Sequence, residues 1–488
     1  MTISDKFYTP AQVRSGELGA AQSAGIDMYV LMERAGQAAF AVAMSQYPSA
    51  EHWLICCGKG NNGGDGYIIA NLARALGIFV TVWQVGDPEL LTGDAQQAYR
   101  HWKSVGGKVY SPQEEIPDNV DLIIDALLGT GLSGDVRPEF SSLIGKINGA
   151  HAPVIAVDIP SGLNGETGCV MGSAVVAQHT VSFIGVKQGM VTAQARAYCG
   201  EIHFAGLGVD DLFVQQNIPS ANAIAAINSK TFVRRSRVAH KGTNGKALIV
   251  AGNRGMGGAA ILSALAALRT GCGMVACHCD ESVVNPLLAH APEVMSGGWD
   301  CEPLASRVEW ASVLAFGPGL GRDDKAKRVY HQLATVTKPK VVDADALHFL
   351  AQSPVIDPLR IITPHPGEAA SLLGCSTADI ESDRFKSVQA LQKKYGGVVV
   401  LKGAGTLVAD GNKVHVCLAG NPGMATAGMG DVLTGVIVAL LAQGFSLSQV
   451  ATLGVQLHSQ AADLCAKEHG ERGLIASDLH DYLRRLVN

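Results

Sequence analysis

The stretch Trp53-Leu54-Ile55-Cys56-Cys57-Gly58-Lys59-Gly60-Asn61-Asn62-Gly63-Gly64-Asp65-Gly66 decides the fold. Its first five residues are apolar without alternation and too few for a helix. A run that is apolar on both faces reads as a strand inside a parallel sheet, and glycine directly after it marks a strand-to-helix turn. The same βα beat recurs outward at 79–85, 122–125, 154–157, 181–185 and 201–204. A second series runs through 247–251, 274–277, 312–316, 341–343, 361–363 and 398–402. Strands alternating with helical patterns predict an α/β protein, with mostly parallel sheets and helices on both faces. Thr9-Pro10 predicts a capped helix over 11–21, and 26–45 a second. Between the two series, 210–238 is poor in strand patterns and carries Arg234, Arg235 and Arg237, a triplet that reads as a solvated linker. The boundary is placed at 215–230, giving domains 1–218 and 223–488.

The chain has 488 residues, enough for two or three domains, and is 47% hydrophobic and 17% charged. That excludes a disordered or collagen-like chain. A net charge of -5 gives no broad basic surface for nucleic acid. Eleven cysteines without framework spacing read as reduced thiols. The start of the chain is polar, and the longest apolar runs fall far short of the roughly 20 residues that span a bilayer. The expectation is a cytoplasmic enzyme with no membrane partner, and a homo-oligomer.

In parallel sheets ligands bind at the carboxyl ends of strands. The Gly58–Gly66 segment contains G-x-G-x-x-G, but its two Asn and one Asp depart from the bare glycine turn of dinucleotide-binding enzymes. Two further strands end at Asp125, followed by Gly129, Gly131, Gly134 and Asp135, and at Asp158, followed by Pro160, Ser161 and Gly162. Three strand ends thus deliver Asn62, Asp125, Asp158 and Ser161 to one edge. Hard oxygen donors of this kind suit K⁺ or Mg²⁺, and a remaining carboxylate suits general acid/base work.

These segments resemble the NAD(P)H-hydrate epimerase family over about residues 9–213. The resemblance implies that Asn61, Asn62, Gly63, Gly64, Asp65, the loop Gly129, Thr130, Gly131, Leu132, Ser133, Gly134, Asp135, and Asp158 hold the hydrated dinucleotide. It also implies that Asn62, Asp125 and Ser161 ligate K⁺. The substrate's C6 is a carbinolamine carbon beside ring N1. Loss and return of its oxygen inverts the centre and needs a proton donor and acceptor, for which Asp158 is the candidate.

In the second series the most informative piece is Gly428-Met429-Gly430-Asp431, opening an apolar helix over 432–441. Glycine N–H groups and the helix dipole make an anion hole for a transferring phosphoryl group, and Asp431 is placed to accept a proton from an attacking hydroxyl. Lys402-Gly403-Ala404-Gly405-Thr406 reads as a second phosphate loop. With His240-Lys241-Gly242, Gly317-Pro318-Gly319 and Thr363-Pro364-His365-Pro366-Gly367-Glu368, the set resembles the ribokinase-like superfamily, and within it the ADP/ATP-dependent NAD(P)H-hydrate dehydratases, over about 225–486. The resemblance implies a ribokinase-like sheet after a Rossmann-like three-layer one. It implies that Ala259, Gly319, His365 and Asp431 contact the hydrate, and that Lys402, Gly403, Ala404, Gly405, Thr406 and Gly430 contact ADP, with Mg²⁺ on its phosphates. The expected function is repair of hydrated NADH and NADPH: epimerisation of the R and S hydrates, then ADP-dependent dehydration of the S hydrate, giving AMP and phosphate. The alternative is a ribokinase-like small-molecule kinase with an accessory nucleotide-sensing domain. Cys277-His278-Cys279 reads as a structural strand and His458 as a packed or surface helix residue.

Overall fold

A computed structural model describes residues 4–112, 115–300 and 303–488, so the first three residues of the polar start lie outside the described part. The chain separates into two compact units, Met1–Asn222 and Ala223–Asn488.

The first unit is built on six parallel strands in the order Phe79–Gln84, His52–Cys57, Leu122–Ala126, Val154–Val157, His179–Phe183, Glu201–Ala205. The strand first in sequence among these six, His52–Cys57, lies inside the sheet, and the chain turns to opposite sides from it. That switch point opens a crevice beside Leu122–Ala126. The uninterrupted apolar run is explained by two cores. Trp53, Ile55 and Cys57 face the helices Met28–Gln46, Asn61–Ala75 and Gly93–Ser104. Leu54 and Cys56 face the helix Pro138–Gly149. Thr9 caps Pro10–Ala24: its Oγ accepts from Gln12 N at 3.1 Å, and Gln12 Oε1 accepts from Thr9 N at 2.9 Å.

One local expectation is corrected. The polar Gly58–Gly66 segment was read as a loop before a helix, but the helix already begins at Asn61. The glycines are there for contact. A Cβ on Gly58 would sit 1.7 Å from Leu127 O, one on Gly63 2.1 Å from Gly58 O, and one on Gly64 2.7 Å from Met32 Sδ. Removing those atoms lets the helix start close against the strand ends.

The second unit has seven parallel strands in the order Met295–Gly298, Met274–Cys279, Lys246–Val250, Val313–Phe316, Lys340–Val342, Arg360–Ile362, Val398–Leu401. Leu407–Ala409 and Val414–Val416 extend it antiparallel. These two short strands and Met295–Gly298 escaped the sequence reading: three-residue strands carry little periodicity, and Met-Ser-Gly-Gly has no β-branched residue. Met429–Ala442 is buried along most of its length. It lies close against Gly257–Arg269, because a Cβ on Gly435 would meet Ser263 O at 2.2 Å. Cys277, His278 and Cys279 lie in the strand Met274–Cys279, all buried. Among the described residues, no helix is long and apolar enough to cross a membrane.

Candidate active sites

In the first unit a cavity of about 610 Å³ opens at the carboxyl ends of the strands. Asn61, Asn62, Asp65, Gly129, Thr130, Gly131, Leu132, Ser133, Asp135 and Asp158 line it. Gly63, Gly64 and Gly134 do not; the first two serve the helix packing described above. Asp125 and Ser161 are fully buried behind its wall. Asp125 Oδ1 accepts from Ser161 Oγ at 2.6 Å and Leu127 N at 3.2 Å, and Oδ2 accepts from Ser161 N at 2.8 Å. Ser161 Oγ in turn accepts from the N–H of the cavity-lining Leu128 at 2.8 Å. Burial pushes the Asp125 carboxyl up to about 6, against the pull of the Ser161 and Leu127 hydrogen bonds. Asn62 is buried with its Nδ2 unpartnered.

Asp158 sits at the end of Val154–Val157 with φ 67, a conformation that strains a non-glycine residue. Ile184 and Leu207, with φ 63 and 56, also line the cavity, so backbone strain gathers around it. The Asp158 carboxylate is paired with Lys187 Nζ. Lys187 is 1% exposed and also donates to Ser182 Oγ at 3.2 Å. Glu17 and Asp65 join them in the cavity lining. Burial raises both carboxyls, and the Asp158 charge raises them further. Lys187 and Glu17 were missed in the sequence. Lys187 follows the strand His179–Phe183 by four residues, so its strand-end position was the available signal. Glu17 belongs to a helix with no strand-end signature.

In the second unit Gly428 caps Met429–Ala442 at φ 89, and Asp431 falls in its first turn. A Cβ on Gly430 would lie 3.3 Å from Lys402 Nζ and 3.8 Å from Asp343 Oδ2. Lys402 Nζ donates to Asp343 Oδ1 at 3.0 Å and lies 3.8 Å from Glu368 Oε2. Thr434 Oγ1 donates to Asp343 Oδ2 at 2.7 Å. Burial, with the nearby Asp343 charge, pushes the Asp431 carboxyl up to about 7, while Lys402 pulls the other way. Burial alone would lower Lys402, but Asp343, Glu368 and Asp431 hold its ammonium above the usual value. A Cβ on Gly319 would lie 3.1 Å from Ala259 Cβ, so those two expected contact residues are neighbours. His365 caps Pro366–Leu373: its Nδ1 accepts from Gly367 N at 3.0 Å and Glu368 N at 3.3 Å. Gly403, Ala404, Gly405 and Thr406 form the turn after Val398–Leu401, with Thr406 Oγ1 donating to Gly403 O at 3.0 Å. Asp343, Thr434 and Glu368 were not singled out beforehand. His458 is buried beneath the turn and bonded to the Met429 backbone, and burial lowers it to about 4. A larger cavity, about 1040 Å³, lies elsewhere in this unit and includes Arg234 and Arg235 of the basic triplet; Asp431 does not line it.

Fold and sites define a two-domain α/β enzyme, with one candidate site in a cavity at a switch point and the other at a glycine turn that opens a buried helix. The NAD(P)H-hydrate dehydratase family model matches residues 247–485, and the YjeF-related protein N-terminus model matches 28–189. The chain is 56% identical over 490 residues to a bifunctional NAD(P)H-hydrate repair enzyme of Vibrio cholerae, covering 100% of this chain and 99% of that one. It is 45% identical to that of Escherichia coli, covering 100% and 95%. An ADP/ATP-dependent NAD(P)H-hydrate dehydratase of Bacillus subtilis, co-crystallised with ATP and Mg²⁺, is 28% identical with a TM-score of 0.47, covering 52% of this chain and 92% of that one. The chain belongs to the family of bifunctional NAD(P)H-hydrate repair enzymes.

Proposed function

We propose that the chain restores hydrated NADH and NADPH in two steps, with Met1–Asn222 epimerising the C6 hydrates and Ala223–Asn488 dehydrating the S hydrate with ADP. The observation that carries the reading is Asp431: a half-buried carboxyl with a proton affinity near neutrality, one residue after Gly430 and close to the ion pair of Lys402 with the buried Asp343.

In the second unit, Asp431 removes the proton of the C6 hydroxyl as its oxygen attacks the β-phosphorus of ADP, and AMP leaves. Backbone N–H groups of the Gly428–Asp431 turn hold the phosphoryl charge. The N1 lone pair then expels phosphate by breaking C6–O, and loss of the C5 proton forms the C5=C6 bond of NAD(P)H. Lys402, Gly403, Ala404, Gly405, Thr406 and Gly430 bind the nucleotide. Ala259, Gly319 and His365 bind the hydrate. The anionic oxygens beside Lys402 fit a Mg²⁺ ion, which Asp343 and Glu368 would hold; bound there, it would neutralise phosphate charge.

In the first unit, Asp158 exchanges a proton with the C6 oxygen, and Lys187 beside it balances its charge. Asn61, Asp65 and the loop 129–135 position the dinucleotide. Asp125, Ser161 and Asn62 fit a K⁺ ion: the first two offer hard oxygens, and the unpartnered Asn62 amide can turn its oxygen inward. Such an ion would fix the 129–135 loop electrostatically.

Incubation with a mixture of R and S hydrates of NADH and ADP–Mg²⁺ should restore all the NADH absorbance, and ADP should be consumed one for one. A phosphorylated product that accumulates without NADH would replace this reading with a small-molecule kinase.

A further inference from the structure

At the opposite ends of the same strands lies a cluster that neither active site uses. His179 opens the strand His179–Phe183, and Glu201 opens the neighbouring edge strand Glu201–Ala205. The parallel register sets His179 against Glu201 and Val181 against His203. Side chains two apart on a strand share a face, so His179, Glu201 and His203 project together. Among the described residues they are a group of His and carboxylate ligand atoms that all fall within 4.8 Å of one another.

The spacing has the dimensions of a coordination sphere. His179 Nδ1 is 3.0 Å from His203 Nε2 and 3.6 Å from Glu201 Oε2. A tetrahedral Zn²⁺ with bonds of about 2.0–2.2 Å separates its ligand atoms by about 3.3–3.6 Å, close to these values. We propose that His179 Nδ1, His203 Nε2 and a Glu201 carboxylate oxygen bind one Zn²⁺-type divalent ion, water filling the fourth position, and that this ion clips the edge strand to its neighbour.

Further features favour the site. In the His179–His203 hydrogen bond one ring presents its proton to the other, and a shift of that ring to its other tautomer leaves both facing nitrogens free for the metal without net proton release. Glu201, 63% exposed, is free to swing toward the two rings. An N₂O donor set of borderline softness suits Zn²⁺ rather than K⁺ or Mg²⁺, which distinguishes this ion from those of the active sites. Its position at the edge also has a use, since an unprotected edge strand is where a sheet frays or pairs with another chain.

The test uses the full chain, stripped of metal with EDTA. Co²⁺ should bind one per chain with the intense visible absorption of four-coordinate cobalt, and Zn²⁺ should displace it and raise the thermal midpoint. His203→Gln and His179→Asn should abolish the band. Glu201→Gln, at an exposed position that folding tolerates, should weaken Zn²⁺ by at least about 10-fold. Epimerisation should be unchanged in Glu201→Gln. A parent chain without the four-coordinate band, or a band and Zn²⁺ affinity equal in parent and Glu201→Gln, overturns the site and leaves a His–His hydrogen bond.

Discussion

The two sites use glycine in opposite ways. At the cavity of the first unit, glycines remove volume: Gly58, Gly63 and Gly64 let a helix begin against a strand. At the turn of the second unit, glycine supplies backbone conformation: Gly428 holds φ 89 at the start of the helix that carries Asp431 in its first turn. The same sheet architecture thus uses glycine for packing beside one candidate site and for torsion beside the other.

The sharpest break in that comparison is Asp431→Asn. It should lower kcat for ADP-dependent dehydration by about 10²–10⁴-fold with epimerisation untouched. The parent's kcat should rise with pH and level off above about 7, as Asp431 ionises. The stability consequence has the opposite sign. A carboxyl raised on folding holds its proton longer in the folded chain, so it costs stability as pH climbs from the ordinary carboxylate range through about 7. Asp431→Asn should therefore melt no lower than the parent at pH 8. A folded variant with kcat within threefold of the parent removes the base assignment.

Asp158→Ala is the mirror experiment. Epimerisation should fall by about 10²–10⁴-fold while dehydration of purified S hydrate keeps its rate. Parallel loss of both activities would contradict two independent sites.

A smaller effect is expected at the buried carboxylate behind the cavity. Asp125→Asn keeps the shape but removes the anionic oxygen, and should raise the K⁺ concentration for half-maximal epimerisation by about 10-fold or more. In the parent, K⁺ activation should fade as pH drops through about 6, where Asp125 takes up a proton. K⁺ response identical in both proteins would remove Asp125 from the ion site.

The two uses of glycine can be compared by stability alone. Gly63→Ala drives a methyl into the Gly58 carbonyl, a backbone atom that has no room to yield, and should cost about 3 kcal/mol or more. Gly428→Ala asks for a left-handed residue, and its Cβ meets the movable Leu262 side chain at 2.6 Å; about 1–2 kcal/mol is expected. Chemical denaturation of both variants checks the order, and the reverse order would show that packing and torsion had been assigned to the wrong sites.

Much of this was legible in the chain itself. The apolar runs located twelve of the strands to within a few residues, because strands inside a parallel sheet are buried on both faces and carry apolar residues at most positions. The Gly-Met-Gly-Asp turn was legible because its glycine and acidic residues are adjacent in sequence. The partners of the acidic groups were not. Lys187 meets Asp158 from 29 residues away, and Thr434 meets Asp343 from 91. The helix-capping role of His365 was likewise not legible, because its ring Nδ1 accepts from the backbone N–H groups of Gly367 and Glu368 only once the chain turns into Pro366–Leu373.

The sequence by itself determined the βα order, the glycine turns, and which acids end strands, since each depends on neighbours within one turn or one strand. Only the tertiary structure decided which of those acids are enclosed, that Lys187 meets Asp158 and Lys402 meets Asp343, and that burial raises the proton affinity of Asp125. Those properties depend on desolvation and on charges brought across the sheet, and neither is written in any local segment.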